Sequence, residues 1–334
     1  MKMTIKDIAK TAGISYSSVS RALNGLKGVS EETRQKVRDI AEQMDYSPNA
    51  VARGLVQKQT GTLGLIIPDI TNPFYPELAR GVEERASAAG YNTFLCNTNY
   101  ELEKETSYIR NLLEKRVDGI ILAPISSQSN FLEQRKRMPL PCVYLGNAPQ
   151  DTGYSFVITD NVRGGYLAAR TLIQKGYRKI GFISGNDGGW MVDERYTGFK
   201  DAMKRYNLEI KDNYVQLENW RQESGFEIIN KMIHSGDYPR AIIAGNDFLA
   251  MGILQGIKSN GLKVPYDIAV IGFDDIPAAS WPEINLTTIK QPKIQMGADA
   301  VDVLVALLGD ERIEIVSEPR RIILDPELIL RGTC

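Results

Sequence analysis

Thr4-Ile5-Lys6-Asp7-Ile8-Ala9-Lys10-Thr11-Ala12-Gly13-Ile14-Ser15-Tyr16-Ser17-Ser18-Val19-Ser20-Arg21 is the stretch from which the organisation of the chain follows. Thr4 is a good N-cap, and Asp7 three residues on makes a capping-box-like start. Ile5, Ile8, Ala9 and Ala12 then share one helical face. Gly13 breaks the helix and leaves room for a tight turn only. Ser15 caps a second helix, in which Val19, Ala22 and Leu23 face inward, and Asn24-Gly25 ends it. Ser30 caps a third helix with Glu31 and Glu32 in its first turn, where the helix dipole favours acids. Val37, Ile40, Ala41 and Met44 form its apolar stripe. Two short helices joined by a Gly-containing turn and completed by a third describe a helix-turn-helix. In that motif the first residues of the second helix meet base edges in the major groove. Tyr16 and Ser17 hold those positions, with Ser20 and Arg21 a turn later, while Ser18 could equally face a phosphate. Arg21 has the geometry for a bidentate bond to guanine O6 and N7.

The charge supports a polyanion partner for this head. Residues 1–60 carry ten Lys/Arg against six acids, so a basic head of +4 sits on a body of −5. Next comes Tyr46-Ser47-Pro48-Asn49-Ala50-Val51-Ala52-Arg53-Gly54-Leu55. Ser47 at N-cap and Pro48 at N1 start a very short helix, which Gly54 weakens further. A helix this short is expected only against a partner. The polar Gln57-Lys58-Gln59-Thr60-Gly61 marks a domain boundary.

The whole chain has 334 residues, 43% hydrophobic and 24% charged, enough for two or three compact units. No apolar run approaches a membrane span, and the N-terminus opens on an amphipathic pattern and not a signal core. A cytoplasmic protein without a membrane partner is expected. Three scattered cysteines and one histidine argue against a disulfide framework or a metal cluster. After Gly61, apolar strands alternate with amphipathic helices: Leu63–Pro68, Asn92–Cys96, Gly119–Ala123 and Cys142–Leu145, then Phe156–Thr159, Lys179–Ser184, Ala241–Ala244 and Ile268–Gly272. This is an α/β pattern with parallel sheets, in which ligands sit beyond the carboxyl ends of the strands. Those ends are rich in Asp and Asn: Asp69 to Asn72, Asp160, Asn246 and Asp274. Such residues bond hydroxyls, but they also cap the helices that follow strands. Phe74, Tyr75, Trp190, Trp220 and Trp281 are candidate platforms for an apolar ring face. There is no phosphate-binding G-x-x-x-x-G-K-[ST], no G-x-S-x-G nucleophile elbow and no histidine pair, so an enzyme is not expected.

The stretches Thr4 to Arg21 and Tyr46 to Leu55, and the body after them, resemble the lac repressor/gal repressor family over essentially the whole chain. That resemblance implies a small all-α helix-turn-helix headpiece plus an α/β body of two subdomains like a type I periplasmic sugar-binding protein. It implies a helix-turn-helix headpiece over 1–46, a hinge helix and linker over 47–60, and an effector-binding and dimerisation domain over 61–334. The interleaved subdomains would be roughly 61–160 with 293–320, and 161–292 with 321–331. It assigns base reading to Tyr16, Ser17 and Arg21, and the minor groove to Ala52 and Leu55, with Leu55 wedging a base step. Thr4, Ser18, Ser20, Asn24 and Asn49 complete the expected DNA-facing set. It also matches Arg195, Trp220, Asn246 and Asp274 to effector contacts, with Asp69, Phe74, Tyr75, Asp160, Trp190 and Asp193 around them.

The expectation is therefore a DNA-binding transcriptional regulator, most simply a repressor acting as a homodimer. Its operator affinity would answer to a small molecule between the subdomains, with no cofactor. Trp220 at the stacking position points to a sugar. Two alternatives are a family member controlled by a partner protein and a transport-type sugar-binding protein, for which the basic head has no use.

Overall fold

The computed structural model describes residues 3–23, 25, 27–46, 59–126, 140–148, 153–185, 190–309 and 319–334. The chain divides into two compact units between Gly61 and Thr62. Among its described residues the first holds three helices, α1 (Ile5–Ala12), α2 (Tyr16–Leu23) and α3 (Glu31–Gln43). Ile8, Ala12, Val19, Ala22, Val37 and Ala41 form its core, drawn from the apolar faces read in the sequence. Gly13 ends α1 at φ +70°, a left-handed conformation that favours glycine.

The second unit contains two six-stranded sheets. The first runs β11-β5-β4-β3-β1-β2, from β1 (Thr62–Ile67), β2 (Asn92–Asn97), β3 (Gly119–Leu122), β4 (Cys142–Leu145), β5 (Ser155–Thr159) and β11 (Arg321–Leu324). All its pairings are parallel. The second runs β12-β10-β9-β8-β6-β7, from β6 (Ile180–Gly185), β7 (Val215–Glu218), β8 (Ala241–Ala244), β9 (Ala269–Asp274), β10 (Thr287–Lys290) and β12 (Glu327–Ile329). Only β12 is antiparallel to its neighbour. Helices cover both faces of each sheet, which is why the central strands read as unbroken apolar runs. In the first sheet Leu63, Leu65 and Ile67 face one core and Ile66 faces another, with Ile120 and Leu122 beside it.

The chain passes between the sheets three times: after β5, after β10 and after β11. The last crossing corrects an expectation. Residues 321–324 pair with Phe156–Thr159 in the first sheet, and only from Glu327 does the chain join the second. Ile322 and Leu324 pack on the first core, so burial on that side decides the pairing.

Three helix pairs flank the sheets: α4 (Phe74–Ala88) with α10 (Lys293–Leu308), α6 (Asn161–Gln174) with α7 (Trp190–Arg205), and α8 (Gln222–Ser235) with α9 (Asp247–Ser259). The helix α5 (Leu102–Glu114) covers the outer face of the first sheet. Each pair is closed by reciprocal glycines. A Cβ on Gly81 would strike the Ile294 carbonyl, and one on Gly297 that of Leu78. The same holds for Gly165 with Arg195 and Gly198 with Val162, and for Gly225 with Leu249 and Gly252 with Gln222. Backbones therefore touch with no side chain between them.

Candidate nucleic-acid interface and ligand cleft

In the first unit, α1 starts on the expected capping box. The Thr4 amide and hydroxyl donate to Asp7 Oδ2 at 2.9 and 2.7 Å. These bonds hold the Asp7 carboxyl below its ordinary range, because they favour its charged form. Thr4 is thus engaged in its own helix. At the start of α2, the Ser18 amide donates to Ser15 Oγ at 3.1 Å, and the Ser17 and Ser18 hydroxyls lie 2.8 and 2.9 Å from the same oxygen.

Because α2 buries Val19 and Ala22, its opposite side must face outward. Ser17 and Arg21 are exposed, and Tyr16 is 54% exposed. Tyr16 and Arg21 thus both lie outside the headpiece core; Ser17, one turn before Arg21, is on the arginine's side of the helix, and Tyr16 is offset from it by about 140°. Ser18 and Ser20 are half-buried. Asn24, Asn49, Ala52 and Leu55 lie outside the described residues, as does the expected hinge segment from 47 to 58.

In the second unit, the carboxyl ends of strands from both sheets meet around a cleft. Phe74, Tyr75, Arg195, Trp220, Asn246 and Asp274 line it, as the strand-end reading expected. Phe74 and Tyr75 open α4 and cross edge to face, with centroids 5.1 Å apart. On the other side, Trp220 follows β7 and lies against Gly185, where any Cβ would collide with the indole. Aromatic surfaces from both subdomains thus border one space.

Arg195, on α7, is 2% exposed. Its Nε donates to Asn161 Oδ1 at 2.9 Å, its Nη1 donates to the Gly245 carbonyl, and its Cζ lies 3.6 Å from the Phe273 ring centroid. Asn246 accepts from the Leu249 amide at 2.7 Å, capping α9 while it lines the cleft. Asp274 is buried and accepts from Gln291 Nε2 at 2.7 Å. Burial pushes its carboxyl up to about 6, against the opposing charges of Arg195 and Lys293. Behind it, Asp247 accepts from Thr288 Oγ1 at 2.6 Å and the Ile276 amide at 2.9 Å. Burial and then the Asp274 charge push Asp247 up to about 7.

Two expected cleft residues are corrected. Asp69 accepts from the amide and hydroxyl of Thr71 at 2.9 and 2.7 Å, and Asp160 caps α6 through the Arg163 amide at 2.8 Å. Neither is among the side chains that line the cleft; in each, Oδ1 is held by a residue two or three positions on. The side chains of Trp190 and Asp193 lie outside the described residues. Asn72, read at its strand end as cap or ligand, does both, accepting from the Phe74 amide at 3.1 Å and lining the cleft, whereas sequence reading missed Tyr100, Asn147 and Gln291, which line it too. Each follows a strand of the first sheet or β10, so the rule that singled out Asn246 would have found them.

Comparison with known proteins gives the context. A family model described as periplasmic binding proteins and sugar binding domain of LacI family matches residues 60–323. A second, bacterial regulatory proteins, lacI family, matches residues 4–49. The HTH-type transcriptional regulator RegA of Clostridium saccharobutylicum is 36% identical, with 99% of each chain covered. The ribose operon repressor of Escherichia coli (strain K12) is 38% identical, again with 99% of each covered. The lac repressor dimer bound to operator and the anti-inducer ONPF superposes with a TM-score of 0.88 at 27% identity, covering 100% of this chain and 99% of that one.

Proposed function

Because the chain belongs to the lacI family of bacterial regulatory proteins, whose members are transcriptional regulators and not enzymes, we propose that its cleft takes an uncharged sugar and that its α2 face reads an operator. The protein binds operator DNA, and a DNA partner supports a cytoplasmic location. Among the described residues no helix is long and apolar enough to cross a membrane.

The observation that carries the effector reading is the balance of the cleft lining. Aromatic rings from both subdomains suit the apolar faces of a sugar ring. Asn72, Asn147, Asn246 and Gln291 supply amide donors and acceptors for hydroxyls. Apart from tyrosines, the ionisable side chains lining the cleft among the described residues are one base, Arg195, and one acid, Asp274. Arg195 already donates to Asn161 and Gly245. The nearby start of α9 carries an acid, Asp247, which disfavours an anion there. Among the described lining residues a phosphorylated sugar would find no second cation, whereas a neutral polyol fits.

The test pairs neutral sugars with their phosphates: D-ribose with ribose 5-phosphate, and D-glucose with glucose 6-phosphate, beside adenine and hypoxanthine. A ligand that binds only the folded state raises the melting temperature. A neutral sugar should do so, and Arg195→Ala and Asp274→Ala should abolish the shift. A response to the purines alone would overturn the sugar reading. A response to the phosphates alone would overturn the uncharged one.

For the operator face, Arg21→Ala should cost about 1–3 kcal/mol in operator binding and relax preference at one symmetric pair of bases. Unchanged affinity and preference in a binding-site selection would remove Arg21 from the reading face. Effector control requires different affinities for the DNA-competent and DNA-incompetent states. In a dimer, a change in subdomain pose would reach DNA through the hinge segment.

A further inference from the structure

Lys293 opens α10, the helix that the chain enters as it returns to the first subdomain. Its side chain does not run along that helix. Nζ donates to the Asp274 carbonyl at 2.6 Å and the Asp275 carbonyl at 2.7 Å, both at the end of β9 in the second subdomain. The same nitrogen pairs with Glu77 Oε2 at 2.9 Å, on the first turn of α4 in the first subdomain. Three donor hydrogens meet three acceptors, two on one subdomain and one on the other. The side chain is 7% exposed, so water competes weakly for these bonds.

The place is significant because of what lies one residue away on each side. Asp274 and Asp275 have φ of +124° and +52°, a left-handed conformation that non-glycine residues adopt only when their surroundings hold them. Lys293 is one such hold, and Asp274 presents its carboxylate to the cleft, steadied by Gln291. On the other side, Glu77 sits one turn after Phe74 and Tyr75, the aromatic wall of the first subdomain. The α4 and α10 backbones touch at Gly81 and Gly297, so Lys293 and Glu77 ride on one rigid pair.

We propose that Lys293 is a positioning residue that spans the two walls of the cleft, setting the separation between Asp274 and the Phe74–Tyr75 edge and carrying part of the coupling between effector and operator. The proposal rests on the reading of the cleft as the effector site. A ligand that draws Asp274 inward pulls on the carbonyl that Lys293 grips, and Glu77 passes the displacement to α4.

The experiment uses the full-length protein in two arms. The first needs no ligand. In hydrogen exchange, Lys293→Met should speed exchange about tenfold both at residues 273–276 and across the first turn of α4, with Glu77→Gln doing so more weakly. Faster exchange on one side alone, or on neither, would show that the lysine does not span the walls. The second arm uses the neutral sugar with the largest thermal shift, D-ribose being tried first. Lys293→Met should weaken its binding about tenfold and shrink the fold-change that saturating sugar produces in operator affinity. Glu77→Gln should leave sugar-free operator affinity unchanged and reduce the same fold-change about threefold. A lower melting temperature with sugar affinity and fold-change both intact would make the contact merely structural and overturn the proposal. If wild type binds no sugar, the effector reading fails while the exchange arm still decides the span. If Lys293→Met does not fold, Glu77→Gln decides both arms.

Discussion

At the scale of single residues, the same chemistry serves two ends, and geometry decides which. Asp69, Asp160 and Asn246 all follow strands and could each cap a helix or meet a ligand. Asp69 and Asp160 turn to nearby amides, while Asn246 caps α9 and still borders the cleft. Nothing in sequence position separates these outcomes, because capping and ligand binding ask for the same short polar side chain beyond a strand. Trp220 was legible because a large aromatic beyond a strand has few other uses, whereas Arg195, inside α7, was reached only through the family resemblance. Gln291 was missed because β10, Thr287–Lys290, is short and partly polar and was not read as a strand, so the strand-end rule was never applied to it. The buried acids Asp247 and Asp274 add a pH response. Both carboxyls are raised above the ordinary 3.8 by burial, so from about pH 4 to about 7 the folded chain binds more protons than the unfolded one. Stability therefore falls as pH rises through that window. Asn at 247 can accept from the Ile276 amide and donate to Thr288 Oγ1. Asp247→Asn should flatten the curve of denaturation midpoint against pH and add on the order of 1–2 kcal/mol at pH 8 relative to wild type. Parallel urea titrations at pH 5 and pH 8 check this, and an unchanged slope would mean that Asp247 titrates normally.

At the scale of elements, α6 and α7 show how packing delivers a functional side chain. Gly165 lies against the Arg195 carbonyl itself, and Gly198 lies against Val162 one turn away. The arginine is thus fixed at its backbone before its side chain finds Asn161 and Gly245. Gly198→Ala must spread the pair, because the colliding atom is backbone and cannot rotate away. We expect a loss of about 1–3 kcal/mol in stability, and sugar binding weakened further than Gly252→Ala weakens it on the α8–α9 pair. Calorimetry of both variants checks the ranking, and equal effects would detach Arg195 placement from the interlock. The alternation of strands and helices was legible, since apolar runs of strand length punctuated by polar turns have few other readings. The sheet to which β11 belongs was not, because Arg321–Leu324 is half exposed and an edge strand carries little pattern to choose its neighbour.

At the scale of the whole molecule, the two units meet different demands. The headpiece exposes one side of α2, and the body carries a cleft between its two sheets. The expected hinge helix at Asn49–Leu55 should form only on operator, since so short a segment must offset its ordering cost with DNA and its dimer mate. Its amides should be protected from exchange with operator and unprotected without it, and equal protection in both states would refute coupled folding. The three crossings in the body bear on how the chain is made. By residue 159 the ribosome has delivered five of the six strands of the first sheet, but α10, whose Met296, Ala300, Val301 and Leu304 cover one side of it, begins only at Lys293. At ~5–20 residues per second, those ~130 intervening residues take roughly 7–27 s to synthesise. For that interval Leu63, Leu65, Ile121 and Val143 have α4 (through Leu78, Val82 and Ala86) but not α10 packed on them, while the second sheet is still being completed. A chain threaded this way finishes its first half almost last, with that core only half covered until α10 emerges.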